Sequence, residues 1–178
     1  MKMNSLFLGN NQRGAALIVA LLILVVVSVL GVSAMKTSMF AAKVATGTQA
    51  DAMVFEAAES SVADMYNTLD NLDEVALTGF IVNQVVARRC LLNSGGRNGA
   101  CNSGDSMDAR KVITASAAAT QNGFRLIPGN QVSTTGNTAT FVDYSINVQG
   151  DAVMDGFNLN DRHLQQLLKT GILPGSQL

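Results

Sequence analysis

The run from Ala15 to Met35 holds 21 residues and no ionisable side chain. A helix rises about 1.5 Å per residue, so a helix of this length would cross the ~30 Å hydrocarbon core of a bilayer. Its polar side chains are those of Ser28 and Ser33, whose hydroxyls can donate to carbonyls one turn earlier in a helix. The run therefore predicts a membrane helix near the start of the chain.

Three interpretations of this run are open. As a secretory signal it would have a basic start and a cleavage site after Ala34, although the apolar part of such signals is usually only about 7 to 15 residues long. As a plain anchor it would stay in the membrane as a single span. The third interpretation rests on Arg13-Gly14, where the basic leader meets the apolar run without a spacer.

The next stretch extends the helical pattern. From Lys36 to about Asp73 there is no proline and one glycine, Gly47, and residues that favour helix are abundant. One continuous helix is predicted, on the order of 75 Å long from Ala15 to Tyr66 at ~1.5 Å per residue. Apolar side chains at helical spacing predict one buried face. That face comprises Phe55, Ala58, Val62, Met65, Leu69 and Leu72.

The leader junction and the helix resemble the N-terminal segment of type IV pilins and type II secretion pseudopilins. In that family a membrane peptidase cuts after the glycine and methylates the new N-terminus. The resemblance implies a leader at residues 1–14 and a cut between Gly14 and Ala15 by prepilin peptidase. A second motif resembles the F-x-A-A-E signature of PilX-type minor pilins and extends the resemblance over residues 11–66. Its residues are Phe55, Ala57, Ala58 and Glu59.

The fifth residue after the implied cut is Val19, where most pilins have a glutamate. In the family that carboxylate pairs with the N-terminal amine of the subunit already assembled, and such a pair is strong in a medium of low dielectric constant. Val19 cannot form this pair. PilX-type pilins and tip pseudopilins also lack a glutamate at this position. The resemblance therefore implies a subunit that starts the fibre or ends it, rather than one that repeats along it.

What the resemblance implies about function follows from that position. The chain would be a minor pilin that helps to initiate type IV pilus assembly within a minor-pilin complex and sits at or near the tip. Its implied partners are other minor pilins, prepilin peptidase and, before assembly, the inner membrane; a tip adhesin is a further candidate. Small residues such as Ala16, Ala20 and Gly31 would let apolar helices approach closely. A type II secretion pseudopilin is the alternative, although tip pseudopilins usually carry a larger head.

Residues 74–178 are predicted to form one small periplasmic head. Thr138 to Gln149 alternates polar and apolar residues, which predicts a half-buried strand. A strand at Phe124–Ile127 is expected to stop at the turn pair Pro128-Gly129, and Thr134 to Asn137 is expected to form a hairpin turn. The inward side chains of the alternating strand would be Val142, Tyr144, Ile146 and Val148.

The predicted fold class is α+β. A long N-terminal helix, transmembrane over residues 15–35 and amphipathic over 36–73, would carry a small head of two or three antiparallel strands packed on its amphipathic half. Residues 75–92 favour helix weakly, residues 93–105 have the composition of a loop, and residues 107–121 are assigned to neither helix nor strand.

The end of the head is predicted to contain a polar turn and a short helix. Oxygen-bearing side chains crowd Asp151 to Asp161. They could hold calcium, but they lack the order and the closing glutamate of an EF-hand, so a polar turn is expected there, with calcium as the alternative. Asn160 or Asp161 would cap a short terminal helix. The apolar side of that helix would consist of Leu164, Leu167, Leu168 and Ile172.

Cys90 and Cys101 are the only cysteines in the chain. With the head outside the cytoplasmic membrane, as the resemblance implies, both lie in an oxidising compartment, where a disulfide is expected. Closing a loop of about a dozen residues would stabilise the fold by roughly 3 kcal/mol in the chain-entropy model. Two cysteines and His163, which we expect at the surface or at a cap, are too few ligands for a zinc site.

Charge and motifs argue against the other function classes. Without the implied leader, 10 basic residues face 13 acidic ones, a formal charge of −3. This balance argues against a direct nucleic-acid partner. No nucleophile elbow accompanies the single histidine, so we expect no enzyme, cofactor or metal. Two classes remain, a structural subunit of a pilus and an anchored or secreted periplasmic protein.

Overall fold

The computed structural model describes residues 13–134 and 137–173, which form two helices and five strands. The implied leader, residues 1–14, lies almost wholly outside this range. The chain divides into two compact units between Thr48 and Gln49, and the first helix contributes to both. The elements are α1 (Arg13–Asp70), α2 (Glu74–Val82), β1 (Ala87–Leu92), β2 (Gly95–Asn98), β3 (Thr114–Thr134), β4 (Asn137–Met154), a 3₁₀ turn (Asp155–Phe157) and β5 (Leu159–Ile172).

The described part of the first unit is helical throughout. Its large apolar side chains, from Leu17 to Val44, are exposed. As predicted, the hydroxyl of Ser28 donates to Leu24 O at 2.7 Å and that of Ser33 to Val29 O at 2.9 Å, so neither needs a partner from outside the helix. Among the residues described, α1 is the one helix long and apolar enough to cross a membrane.

The second unit is an antiparallel sheet packed on residues 49–70 of α1. Its strand order is β2-β1-β3-β4-β5, with every neighbouring pair antiparallel. The α+β fold class is confirmed, with five strands where two or three were expected. Because β3, β4 and β5 are long, most of the sheet lies in these three strands.

The helix buries its predicted apolar face with two exceptions, Leu72 and Phe55. The helix was expected to reach about Asp73 but ends at Asp70, so Leu72 follows it and is half-buried against the core. Val62, Met65 and Leu69 are at most 3 % exposed, as expected. Phe55 was placed on that face wrongly: it is 47 % exposed, and its neighbour Val54 is 1 % exposed instead. Val54 packs with the small side chains of the sheet, whereas Phe55 lies on the flank of the helix beside a strand.

The alternating strand is confirmed as the centre of the core. All four predicted inward side chains of β4 are at most 1 % exposed, and Tyr144 also donates its hydroxyl to Ile172 O at 2.9 Å. Next to β4, the residues of β3 that are buried, among those whose burial is described (residues 114–129), are all alanines. These are Ala115, Ala117 and Ala119, whose small side chains leave room for the helix above them.

The turn expected at Pro128-Gly129 is wrong, because β3 continues to Thr134. The chain accommodates the proline by a register shift between Leu126 and Gln131, where Gly129 takes a φ of +85°. The reversal occurs between Thr134 and Asn137, which pair with each other. The two residues between them, 135 and 136, lie outside the described part of the chain.

The terminal helix is also wrong. Leu159–Ile172 is strand β5, and it pairs with β4 along its whole length, from Met154 opposite Leu159 to Phe141 opposite Ile172. Asn160 and Asp161 therefore belong to a strand and cap no helix. The leucines that suggested a helical face are divided between the two faces of the sheet, with Leu167 packed against the core and Leu164 and Leu168 exposed.

Three shorter assignments change as well. Residues 75–92 contain all of α2 except its first residue, followed by all of β1. The helix favoured there is therefore correct only as far as Val82, and the break includes Gln84, whose φ is +48°. The expected loop at 93–105 contains the short strand β2. The undecided segment 107–121 enters β3 at Thr114.

Candidate functional site at the helix–sheet seam

The contacts between residues 49–70 of α1 and the sheet are called here the seam. Two residues of the F-x-A-A-E motif are buried in it: Ala57 is 1 % and Ala58 0 % exposed. Opposite them stands Gly150 of β4, where an added Cβ would lie 2.6 Å from Ala58 O. Real Cβ atoms do not approach that closely, so the helix backbone can meet the sheet here only because residue 150 has no side chain.

The other two motif residues contact β5 through His163. The rings of Phe55 and His163 meet edge to face with centroids 4.4 Å apart. His163 Nδ1 lies 2.7 Å from Glu59 Oε1, and Gln165 Nε2 donates to Glu59 Oε2 at 3.1 Å. The second ring nitrogen, Nε2, is 3.4 Å from Asp161 Oδ2. The motif therefore joins the helix to the edge strand of the sheet by an aromatic contact, an ionic contact and a hydrogen bond from a neutral amide.

Electrostatics favour a protonated ring at this position. The Glu59 carboxylate, and after it Asp161, raise the pKa of His163 above its ordinary value, although burial opposes them. The histidine side chain is only 14 % exposed, so the expectation of a surface or capping residue is wrong. Sequence reasoning missed this contact because 104 residues separate Glu59 from His163.

Polar contacts fasten the seam at three more places. Arg89 of β1 forms a bidentate ion pair with Asp64 of α1: Nε donates to Oδ2 at 2.6 Å and Nη2 donates to Oδ1 at 3.2 Å. The buried Ser61 hydroxyl lies 2.8 Å from Ala58 O and 3.1 Å from Ser116 O of β3.

The third of these contacts holds the end of the helix. The last turn of α1 contains no basic residue. Instead Lys169 of β5 donates to Leu69 O at 2.8 Å and to Asp70 O at 3.0 Å. These carbonyls have no partner within a helix, and a cation is favourable beside them. The edge strand thus supplies the positive charge that the helix end lacks.

A disulfide joins Cys90 of β1 to Cys101, as expected, with Cα atoms 4.9 Å apart. Asp105 braces the same loop by accepting from the backbone N–H of Asn102 at 2.6 Å and from the guanidinium of Arg97. These two donors hold the pKa of Asp105 below its usual value. Both sulfurs are used in the bond, so they are not available as thiolate ligands beside the Asp105 carboxylate.

The residues expected to be processed lie in the first unit. Gly14 and Ala15 belong to the first turn of α1, and Val19 follows with 57 % of its surface exposed. Among the described residues, a side chain added at Gly14 or at Gly31 would meet nothing within 4 Å.

Comparison with known families matches residues 13–63 to the family described as PilX N-terminal. The matched segment begins with the first described residue of α1 and includes Gly14, Val19 and all of F-x-A-A-E. Neither the curated proteins nor the solved structures give a significant match to the chain.

Proposed function

Since the chain carries the N-terminal segment of a PilX-type pilin, we propose that it acts as a minor pilin. In this proposal it helps to initiate type IV pilus assembly as part of a minor-pilin complex and remains at or near the pilus tip. Its first helix anchors it in the inner membrane before assembly, with the second unit in the periplasm.

One observation supports the proposed position at the start of the fibre. The segment that matches the family has Val19 at the fifth residue after Gly14, so it has no carboxylate there to pair with the amine of a subunit already in place. A repeating subunit needs that pair each time it is added. A subunit without this carboxylate is better suited to be the first in the fibre, because no earlier subunit is present for it to pair with.

Maturation in this proposal is a single cut between Gly14 and Ala15 by prepilin peptidase. The cut removes Lys2 and Arg13, the basic residues before the apolar run, and leaves that run as the start of the mature chain. Methylation of the new N-terminus accompanies it in the family.

Assembly in this proposal depends on packing. The apolar side chains of residues 15–35 are exposed within the chain, so they are available to neighbouring helices. Small residues at Ala16, Ala20 and Gly31 allow close approach of helix backbones, which favours association in a bilayer. Contacts between heads would then select the partners, which are other minor pilins and, as a candidate, a tip adhesin.

The direct test is deletion of the gene followed by counting of surface fibres. We expect several-fold fewer fibres, with an unchanged main subunit, because initiation becomes rarer while elongation is unaffected. Complementation with the wild-type chain should restore the count. The Gly31→Leu chain should not restore it, because the side chain blocks helix approach, whereas the exposed-turn variant Gly156→Ala should.

An undiminished fibre count in the deletion strain would overturn the role in initiation. If that normal count came with loss of protein secretion, the alternative of a type II secretion pseudopilin would replace the proposal.

A further inference from the structure

We propose that His163 is a proton-controlled latch: its protonated ring fastens strand β5 to helix α1 through Glu59, and loss of the proton releases this part of the seam. The inference goes beyond the role in assembly and does not depend on it. It rests on the placement of the only histidine in the chain between carboxylates from two elements, at 2.7 Å from Glu59 and 3.4 Å from Asp161.

The geometry gives the two protonation states different contacts. With both ring nitrogens protonated, Nδ1 donates to Glu59 and Nε2 points its proton at Asp161. A neutral ring keeps one proton, so one of these carboxylates then faces a lone pair. Two carboxylates without a cation between them also repel each other, which opposes the contact of β5 with the helix.

The other charged groups on the surrounding elements are engaged elsewhere or are farther along their element. On β5, Lys169 donates to the end of α1, and Arg162 pairs with Asp151 of β4 on the outer face of the sheet. On α1, Asp64 pairs with Arg89, while Glu56 and Asp51 are exposed and lie one and two turns before Glu59. His163 is therefore the cation that balances Glu59 and Asp161.

The sign of the pH dependence follows from the direction of the shift. The pKa of His163 is raised in the folded chain, chiefly by Glu59. Stability from this contact is fully present below the ordinary histidine pKa of about 6.5 and is lost as the pH rises through the folded value. The latch is thus closed below the ordinary histidine pKa of about 6.5 and opens as the pH rises through the raised folded pKa.

The experiment uses the full chain in detergent micelles, without a histidine tag, because its single histidine then gives one ring signal in ¹³C-resolved NMR. We expect a titration midpoint above the ordinary value of about 6.5. Hydrogen exchange in residues 159–172, corrected for the intrinsic pH effect, should rise through the same midpoint. Glu59→Gln should lower the midpoint and flatten the pH dependence of thermal unfolding; Asp161→Asn should lower it less, since its carboxylate is farther away.

The matched control is Glu56→Gln, an exposed carboxylate one turn earlier on the same helix, which should leave the midpoint where it is. A wild-type midpoint at or below about 6.5 would overturn the latch. Protection of β5 from hydrogen exchange that does not change across the titration would also overturn the latch. Both results come from the wild-type chain, so they do not depend on whether a variant folds. A midpoint unmoved by Glu59→Gln would overturn the assignment of Glu59 as the partner.

Discussion

At Gly150 the absence of a side chain lets strand β4 lie directly under the backbone of α1. An added Cβ would meet Ala58 O, Ser61 Oγ and Val62 Cγ2, each at 2.6 Å. None of these atoms is the free end of a flexible side chain, because the first is backbone and the other two are held in the buried seam. The helix would have to move for any larger residue to fit.

We therefore expect Gly150→Ala to lower the free energy of unfolding by about 1–3 kcal/mol, the usual cost of overpacking. Chemical unfolding of the full chain in micelles measures it. Gly156→Ala is the control, because a Cβ there meets nothing within 4 Å, and it should stay within about 0.5 kcal/mol of wild type. Equal stability of the two variants would contradict the close approach at the seam.

Phe55 shows where single residues limit prediction from sequence. Helical spacing places a face to within roughly one residue, and both Val54 and Phe55 are apolar, so periodicity alone cannot choose between them. The choice was made by the partner surface, since the alanines of the sheet leave space for Val54, and His163 offers an edge for Phe55. That information lies about a hundred residues away in the chain.

At the scale of elements, β4 could be predicted and β5 could not. Strand β4 lies inside the sheet, between β3 and β5, and one of its faces is buried, so its sequence alternates with a clear period of two. Strand β5 lies at the edge and exposes leucines on its outer face, so the sequence shows leucines at positions 164, 167 and 168 that mimic a helix. Its pairing with β4, a long-range contact, decides the structure.

The seam shows the same division. The apolar face of α1 and the two cysteines could be located from the sequence, because periodicity and residue type carry that information locally. The partners of Glu59, Asp64 and the helix end could not, because each is an ion pair or capping bond to a strand far along the chain. The motif residues could be identified as a family signature without any indication of what they touch.

The disulfide between Cys90 and Cys101 is expected to stabilise the fold. The bond closes a loop over a sequence separation of 11 residues, and the chain-entropy model assigns such a loop roughly 3 kcal/mol. We expect the double variant Cys90→Ala/Cys101→Ala to lose about that much free energy of unfolding in non-reducing buffer.

Wild-type protein in excess reductant serves as the comparison, because it should lose a similar amount while keeping both sulfur atoms. Urea unfolding of both samples provides the measurement. If the urea midpoint of the wild-type chain were the same with and without reductant, the disulfide would not stabilise the fold.

At the scale of the whole molecule, the two units have different surfaces. The described part of the first unit is a helix whose large apolar side chains are exposed, whereas the second unit buries its apolar side chains between helix and sheet. An exposed apolar surface of this length is stable only when lipid or other helices cover it. This contrast fits the proposed role as a minor pilin, which depends on processing at the start of the first unit.

The N-terminal residue and intact mass of the chain purified from membranes show directly whether this processing occurs. Gly14→Leu should block removal of the leader, because the peptidase of this family cuts after glycine. Gly31→Leu adds the same side chain to the same helix, with equal room around it, and should be processed normally. For the wild-type chain we expect an N-terminus at Ala15, with or without a methyl group. An N-terminus at Met35 would contradict it, since ordinary signal peptidase would then have removed the apolar helix.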